Sequence, residues 1–202
     1  MYFVKTPKVI QSLLKDVTWN IPNNNNEIYL TFDDGPTKYI TEKTLDTLNH
    51  YGIKATFFCL GQQVEKNPRL FQRIIKEGHA VGNHSYSHLK GWNTNNEEYI
   101  EDINKAKSII NSNLFRPPYG KAKRGQLDQL KQFKTIMWDV LPGDFSPKNN
   151  IDSIVSNTLN HVEVGSIIVL HDNDKCGEKM NQALPVLLEE LKNKGFNFGI
   201  IS

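Results

Sequence analysis

Cysteine, arginine and long apolar runs are all scarce in this 202-residue chain. Its two cysteines, Cys59 and Cys176, cannot build a disulfide framework or a cysteine-based zinc finger. Cys59 sits in the apolar run 55–60 and reads as a small buried thiol. Cys176, in a Gly/Asp/Lys-rich stretch, reads as exposed and incidental. Only four of the 24 basic residues are arginine (Arg69, Arg73, Arg116, Arg124), and 22 acidic residues bring the formal charge to +2. That balance argues against a nucleic-acid partner, since phosphate backbones are gripped by excess positive charge and forked guanidinium groups. Apolar runs such as 167–170 fall far short of the ~20 residues that span a bilayer. Residues 1–22 contain no apolar stretch of signal-peptide type, which makes the cytoplasm the default expectation. No internal repeat or long low-complexity linker is present, and no protein partner is inferred.

What is present is an ordinary globular composition, 38% hydrophobic and 23% charged, in a chain long enough for one core. A lead-in of residues 1–26, ending in an asparagine run, precedes a domain of residues 27–202. Seven short apolar segments (27–32, 55–60, 79–82, 113–116, 134–138, 166–171 and 196–201) read as buried strands of a parallel sheet. Helical stripes separate them. Asn67 and Pro68 suit an N-cap and first position, with Gly78 closing that helix. Thr94 and Glu97 have capping-box spacing. Pro185 suits the first turn of a last helix that ends at Gly195. Seven β-α alternations predict an α/β fold, either an incomplete (β/α)7 barrel or an open doubly wound sheet.

Polar clusters follow five of the strands, and in parallel α/β folds those strand ends converge on one face. Asp33 and Asp34 leave an apolar strand side by side, which calls for a cation or Arg to divide their duties. His84 and His88, four apart, predict two imidazoles on one side of a helical turn, able to share a metal. Two histidines and a carboxylate form a standard catalytic zinc set. Arg116, fixed by Pro117-Pro118, suits pairing with a carboxylate of the site, and His171 at a strand end suits a general acid. His50, His79 and His161 lack such company and read as structural.

Four ordered motifs, Thr31-Phe32-Asp33-Asp34-Gly35-Pro36, His84-Ser85-Tyr86-Ser87-His88, Arg116-Pro117-Pro118-Tyr119-Gly120 and Ile168-Val169-Leu170-His171-Asp172, resemble those of polysaccharide deacetylases, the NodB-homology domains of carbohydrate esterase family 4. The resemblance spans about residues 27–200. It implies an incomplete, TIM-like (β/α)7 barrel and a metal-dependent hydrolase releasing acetate from an N-acetylated sugar. It further implies Asp33 as base, oriented by Arg116, and a divalent metal, usually zinc, on Asp34, His84 and His88. His171 would be the acid. Tyr119 N–H would stabilise the oxyanion, Leu170 would line the acetyl pocket, and Trp138 and Phe145 would join the substrate-binding set. One motif departs: Leu141 stands where the family shows the Asp supporting the catalytic His, and Phe145 where it shows Trp. Asp139, Asp144 and Asp172 are the candidates for that support. Rival readings keep the site for O-acetyl esters or small amides, or keep the fold as a carbohydrate-binding protein.

Overall fold

The computed structural model describes residues 2–14 and 16–202; Met1 and Lys15 of the lead-in lie outside the described residues. Among the described residues, seven parallel strands form one sheet: β1 (Glu27–Asp33), β2 (Thr56–Cys59), β3 (Ala80–Asn83), β4 (Leu114–Phe115), β5 (Lys134–Thr135), β6 (Ile167–His171) and β7 (Asn197–Gly199). Their order is β5-β4-β3-β2-β1-β6, with β7 pairing the start of β1. Helices α1 (Lys8–Leu13), α2 (Ile40–His50), α3 (Gly61–Lys66), α4 (Pro68–Lys76), α5 (Asn96–Ile110), α6 (Arg124–Asp128), α7 (Ile151–Leu159) and α8 (Gly177–Asn193) connect and cover them. The sheet curls into an incomplete barrel. No helix of the described residues is long and apolar enough to cross a membrane.

Strand alternation divides two cores. Ile28, Leu30, Phe32, Phe57, Ile168 and Leu170 face the helices, against Leu45, Leu48, Ile74 and the leucines of α8. Tyr29, Phe58, Leu114, Ile136, Ile167 and Ile201 fill the barrel interior. Both faces of β1 are therefore buried, which explains its nearly continuous apolar sequence. Because side chains alternate, Thr31 and Asp33 share the interior face with Tyr29 and rise toward the barrel mouth.

The stretch expected as strand 134–138 is regular only at Lys134–Thr135. Beyond it the backbone changes partners, Ile136 bridging Thr18 and Val140 bridging Ile168 of β6. Residues 136–141 thus cross the seam between β5 and β6, and the lead-in packs over them. Lys5 pairs with Asp139 at 2.7 Å, and Asn20 bridges Ser166.

Three helix boundaries differ from expectation. The α5 cap is Asn95, whose side chain accepts from Glu98 N–H at 2.9 Å, one residue beyond the expected Thr94. Asn67 precedes α4 without capping it, because its amide donates to Pro36 O at 2.9 Å instead. Helix α8 begins two turns earlier than expected, so Pro185 lies inside it.

Candidate active site

Asp33, at the end of β1, meets Arg116 just beyond β4. The guanidinium is fully buried and lies 4.0 Å above the Phe58 ring. It donates to Asp33 Oδ1 at 2.6 Å, Thr31 Oγ1 at 2.7 Å, Met137 O at 3.1 Å and Ile136 O at 3.2 Å. A planar fork with several donors suits this role, and a lysine could not replicate it. Asp33 is held through one oxygen, while its other, Oδ2, faces His84 Nε2 at 3.9 Å.

His84 and His88 do not share a helical turn. They flank an irregular loop in which Ser85 and His88 adopt positive φ (69° and 65°), a conformation that side chains other than glycine rarely take. Side chains supply the hydrogen bonds a helix would have made. Asn83 Oδ1 accepts from Ser85 N at 2.7 Å. Asp102, on α5, accepts from Tyr86 N at 2.9 Å and from Ser87 Oγ at 2.6 Å. The two imidazole centroids still lie 5.2 Å apart. Asp34 and Tyr119 also have positive φ (82° and 59°), so four such residues meet at one rim. Strained backbone of this kind concentrates at functional sites.

Asp34 Oδ1 lies 3.1 Å from His88 Nε2 and 3.5 Å from His84 Nε2. His84 Nδ1 is 2.8 Å from the Arg116 carbonyl. A carbonyl only accepts, so Nδ1 carries a proton, and Nε2 is the ring nitrogen turned toward the carboxylate. Among the described residues, Asp34 Oδ1 is buried without a hydrogen-bond partner. Its other oxygen accepts from Asn173 Nδ2 at 2.6 Å. Burial opposes ionisation of Asp34, but the two imidazoles and the charges of His84 and His171 outweigh it and hold the carboxyl well below its usual range. Two imidazole nitrogens converging on an orphaned anionic oxygen, the three ligand atoms within 4.8 Å of one another, fit a divalent cation on Asp34, His84 and His88.

Opposite, His171 Nδ1 meets Asp144 Oδ1 at 2.9 Å, and His171 N donates to Asp144 Oδ2 at 2.6 Å. Burial opposes the imidazolium, but Asp144, with help from Asp34 and Asp33, raises His171 to about 10. The other two candidates for support are engaged elsewhere. Asp139 binds Lys5, Ser166 Oγ and Ile167 N at the seam. Asp172 accepts from Gly35 N at 3.0 Å and Thr41 Oγ1 at 2.5 Å, and burial pushes it up to about 7.

A groove of about 650 Å³ opens above these groups, walled by Tyr2, Tyr119, Trp138, Leu141, Phe145 and Val169. Residues 20–137 match the model of the polysaccharide deacetylase family. The chain belongs to that family. A Bacillus cereus peptidoglycan-N-acetylglucosamine deacetylase is 35% identical over 195 residues, covering 92% of this chain and 91% of that one. A Bradyrhizobium chitooligosaccharide deacetylase is 30% identical, covering 86% and 88%. The solved structure of a peptidoglycan N-acetylglucosamine deacetylase bound to a naphthalenyl N-oxidanyl-benzamide superposes with a TM-score of 0.89. It is 34% identical and covers 97% of this chain and 95% of that chain.

Among polysaccharide deacetylase features expected here, Leu170 is displaced. It is buried among the helix-facing side chains of the outer core, because adjacent strand residues point to opposite faces. Val169, two residues before His171, shares its face and lines the groove. Tyr119 is exposed at the rim, its ring 4.5 Å from that of His88. Phe145 packs edge-on to His171 at 5.4 Å and to Tyr2 at 5.0 Å. Cys176 is buried rather than exposed, with Sγ 3.3 Å from Asn173 Oδ1 at the start of α8. His79 is a core residue whose Nδ1 accepts from Ala55 N at 3.1 Å. Thr31, Asp102, Val169 and Asn173 escaped the sequence reading. Thr31 and Val169 carried a usable signal, lying two residues before Asp33 and His171 on the same strand faces.

Proposed function

We propose that this polysaccharide deacetylase is a metal-dependent hydrolase that removes N-acetyl groups from a GlcNAc-containing polymer or oligosaccharide and releases acetate. The observation that carries the proposal is the arrangement of three units around one groove: the Asp33–Arg116 pair, the Asp34–His84–His88 cluster and the His171–Asp144 pair. The two relatives named above are called deacetylases of an aminosugar polymer and of an aminosugar oligomer.

Asp34, His84 and His88 would hold the cation, and zinc suits a set of two imidazoles and one carboxylate. When bound, it supplies Lewis-acid polarisation and lowers the pKa of water. Asp33 accepts the proton of the attacking water on Oδ2, because Arg116 occupies Oδ1 and fixes the carboxylate plane. Tyr119 N–H, which has no protein acceptor among the described residues, would donate to the developing oxyanion. His171 enters from the opposite side and donates its Nε2 proton to the departing amine, while Asp144 holds the Nδ1 proton in place. The apolar wall of Val169, Leu141 and Trp138 receives the acetyl methyl.

The test is acetate release from chito-oligosaccharides, peptidoglycan fragments and acetylated xylan by metal-loaded protein. Release from the first two supports the reading. Release from xylan alone would move it to O-acetyl ester hydrolysis, and no release from any glycan would leave a binding protein on the same fold.

A further inference from the structure

A second group of ligand-type side chains lies beside the general acid. Asp144, His171 and Cys176 each present one ligand atom, and the three atoms lie within 4.8 Å of one another. Nothing in the reaction above uses Cys176. Its thiol is nevertheless buried against the catalytic strand end, 3.3 Å from Asn173 Oδ1 and 3.9 Å from the His171 carbonyl. We propose that Asp144, His171 and Cys176 form a second, inhibitory site for a soft divalent cation such as Zn²⁺ or Cd²⁺.

Sulfur, imidazole and carboxylate together select zinc-like ions over Mg²⁺ or Ca²⁺. Charge also balances. Binding releases the His171 Nδ1 proton and the Cys176 thiol proton to solvent, and thiolate plus carboxylate then neutralise the dication in a buried setting. The ligand atoms, within 4.8 Å of one another, must shift to close on one ion. Ligands about 2.0–2.3 Å from a tetrahedral ion stand roughly 3.3–3.7 Å apart, whereas His171 Nδ1 and Asp144 Oδ1 are 2.9 Å apart. Burial, with the charges of Asp144, Asp34 and Asp172, keeps the free thiol protonated. This disfavours oxidation, which proceeds through the thiolate, and the same negative field attracts a cation.

Occupation replaces the Nδ1 proton and draws Asp144 away from its supporting role, so His171 can no longer act as a doubly protonated donor. Binding at this site is independent of the proposed function, but its inhibitory effect rests on that reading.

Cd²⁺ titrated into protein already loaded with one equivalent of zinc tests the site in wild type and in Cys176→Ser. The sulfur-to-cadmium charge-transfer absorption and acetate release are followed together. The Asp34–His84–His88 set contains no sulfur, so the band reports a thiol, and Cys59 is present in both proteins. Wild type should develop a band saturating at one equivalent, with acetate release falling on the order of 10²-fold, the scale of a lost general acid. Cys176→Ser should show neither change and keep its basal rate, and Cys176→Ala provides the same test if the serine variant folds poorly. Absence of the band in wild type, or an equal band or equal inhibition in the Cys176 variants, overturns the proposal. A band in wild type that releases no acetate before cadmium is added upholds the site and refutes the deacetylase reading. Acetate release without a band does the reverse.

Discussion

Replacing Asp144 by Asn preserves the shape of the side chain and removes the charge facing His171. The carboxylate accepts three N–H groups: His171 N at 2.6 Å, His171 Nδ1 at 2.9 Å and Phe145 N at 3.0 Å. An amide has one acceptor oxygen, so whichever way it turns, its NH₂ opposes a donor. An unsatisfied buried donor costs about 1–3 kcal/mol, which lowers Tm by roughly 2–12 °C in a chain of this length and leaves the protein folded. The functional effect depends on pH. His171 stands at about 10, burial being outweighed chiefly by Asp144, and a cation on Asp34 would cancel that residue's smaller share. Without Asp144 the imidazole falls toward its ordinary value of about 6.5. A general acid works while protonated, so its rate falls as pH rises through its pKa. At pH 8 the protonated fraction drops from roughly 99% to about 3%, a loss of about 30-fold, whereas at pH 6 this loss is under about twofold. The same raised pKa stabilises the fold below about pH 6.5, and that stabilisation is lost as pH rises through about 10. The assay is kcat/KM for acetate release across this range in wild type and Asp144→Asn. A uniform loss at every pH, with the alkaline limb unmoved, would refute the assignment of His171 as the acid supported by Asp144.

Arg116→Met should cost about 3–5 kcal/mol, because it strands Asp33 as an uncompensated buried charge; thermal melts should fall by roughly 6–20 °C. Arg116→Lys should fail to restore the loss, for want of the fork. Asn173→Ala removes the bond that fixes Asp34 and should weaken zinc affinity about 10- to 100-fold in chelator competition, while the loss of its bonds to Lys175 N and Cys176 N should destabilise the metal-free protein by about 0.5–2 kcal/mol. Leu170→Ala should destabilise the fold by about 2–5 kcal/mol in urea titrations and leave KM for the acetylated glycan unchanged, since its side chain faces the helices. A rise in KM with unchanged stability would place it in the groove after all.

Five strands were legible as short apolar runs between turn residues because they are buried on one or both faces, whereas β5 and β7, which carry exposed Lys134 and Asn197, were legible only as parts of the longer apolar stretches 134–138 and 196–201. The convergence of Asp33, Asp34, His84, His88, Arg116 and His171 was legible for a related reason: each follows a strand, and parallel strands point their ends the same way. Errors arose where position depends on partners distant in sequence. Spacing alone suggested a helical turn between His84 and His88, but Asn83 and Asp102 pin that loop in another shape. Asp144 could not be chosen over Asp139 or Asp172, because the choice depends on how residues 136–144 cross the seam. Cys176 read as exposed from its polar neighbours, yet the turn into α8 folds it beneath the site. The placement of Leu170 was avoidable, since period-two alternation already separates it from His171.

The most direct measurement of the central claim is acetate release from a chito-oligosaccharide by wild type and Asp33→Asn, each shown by elemental analysis to hold one equivalent of zinc. Asp33 is the proposed base and not a proposed ligand, so the variant should retain its metal while turnover falls about 10²- to 10⁴-fold. Near-normal turnover with the metal still bound would contradict the account.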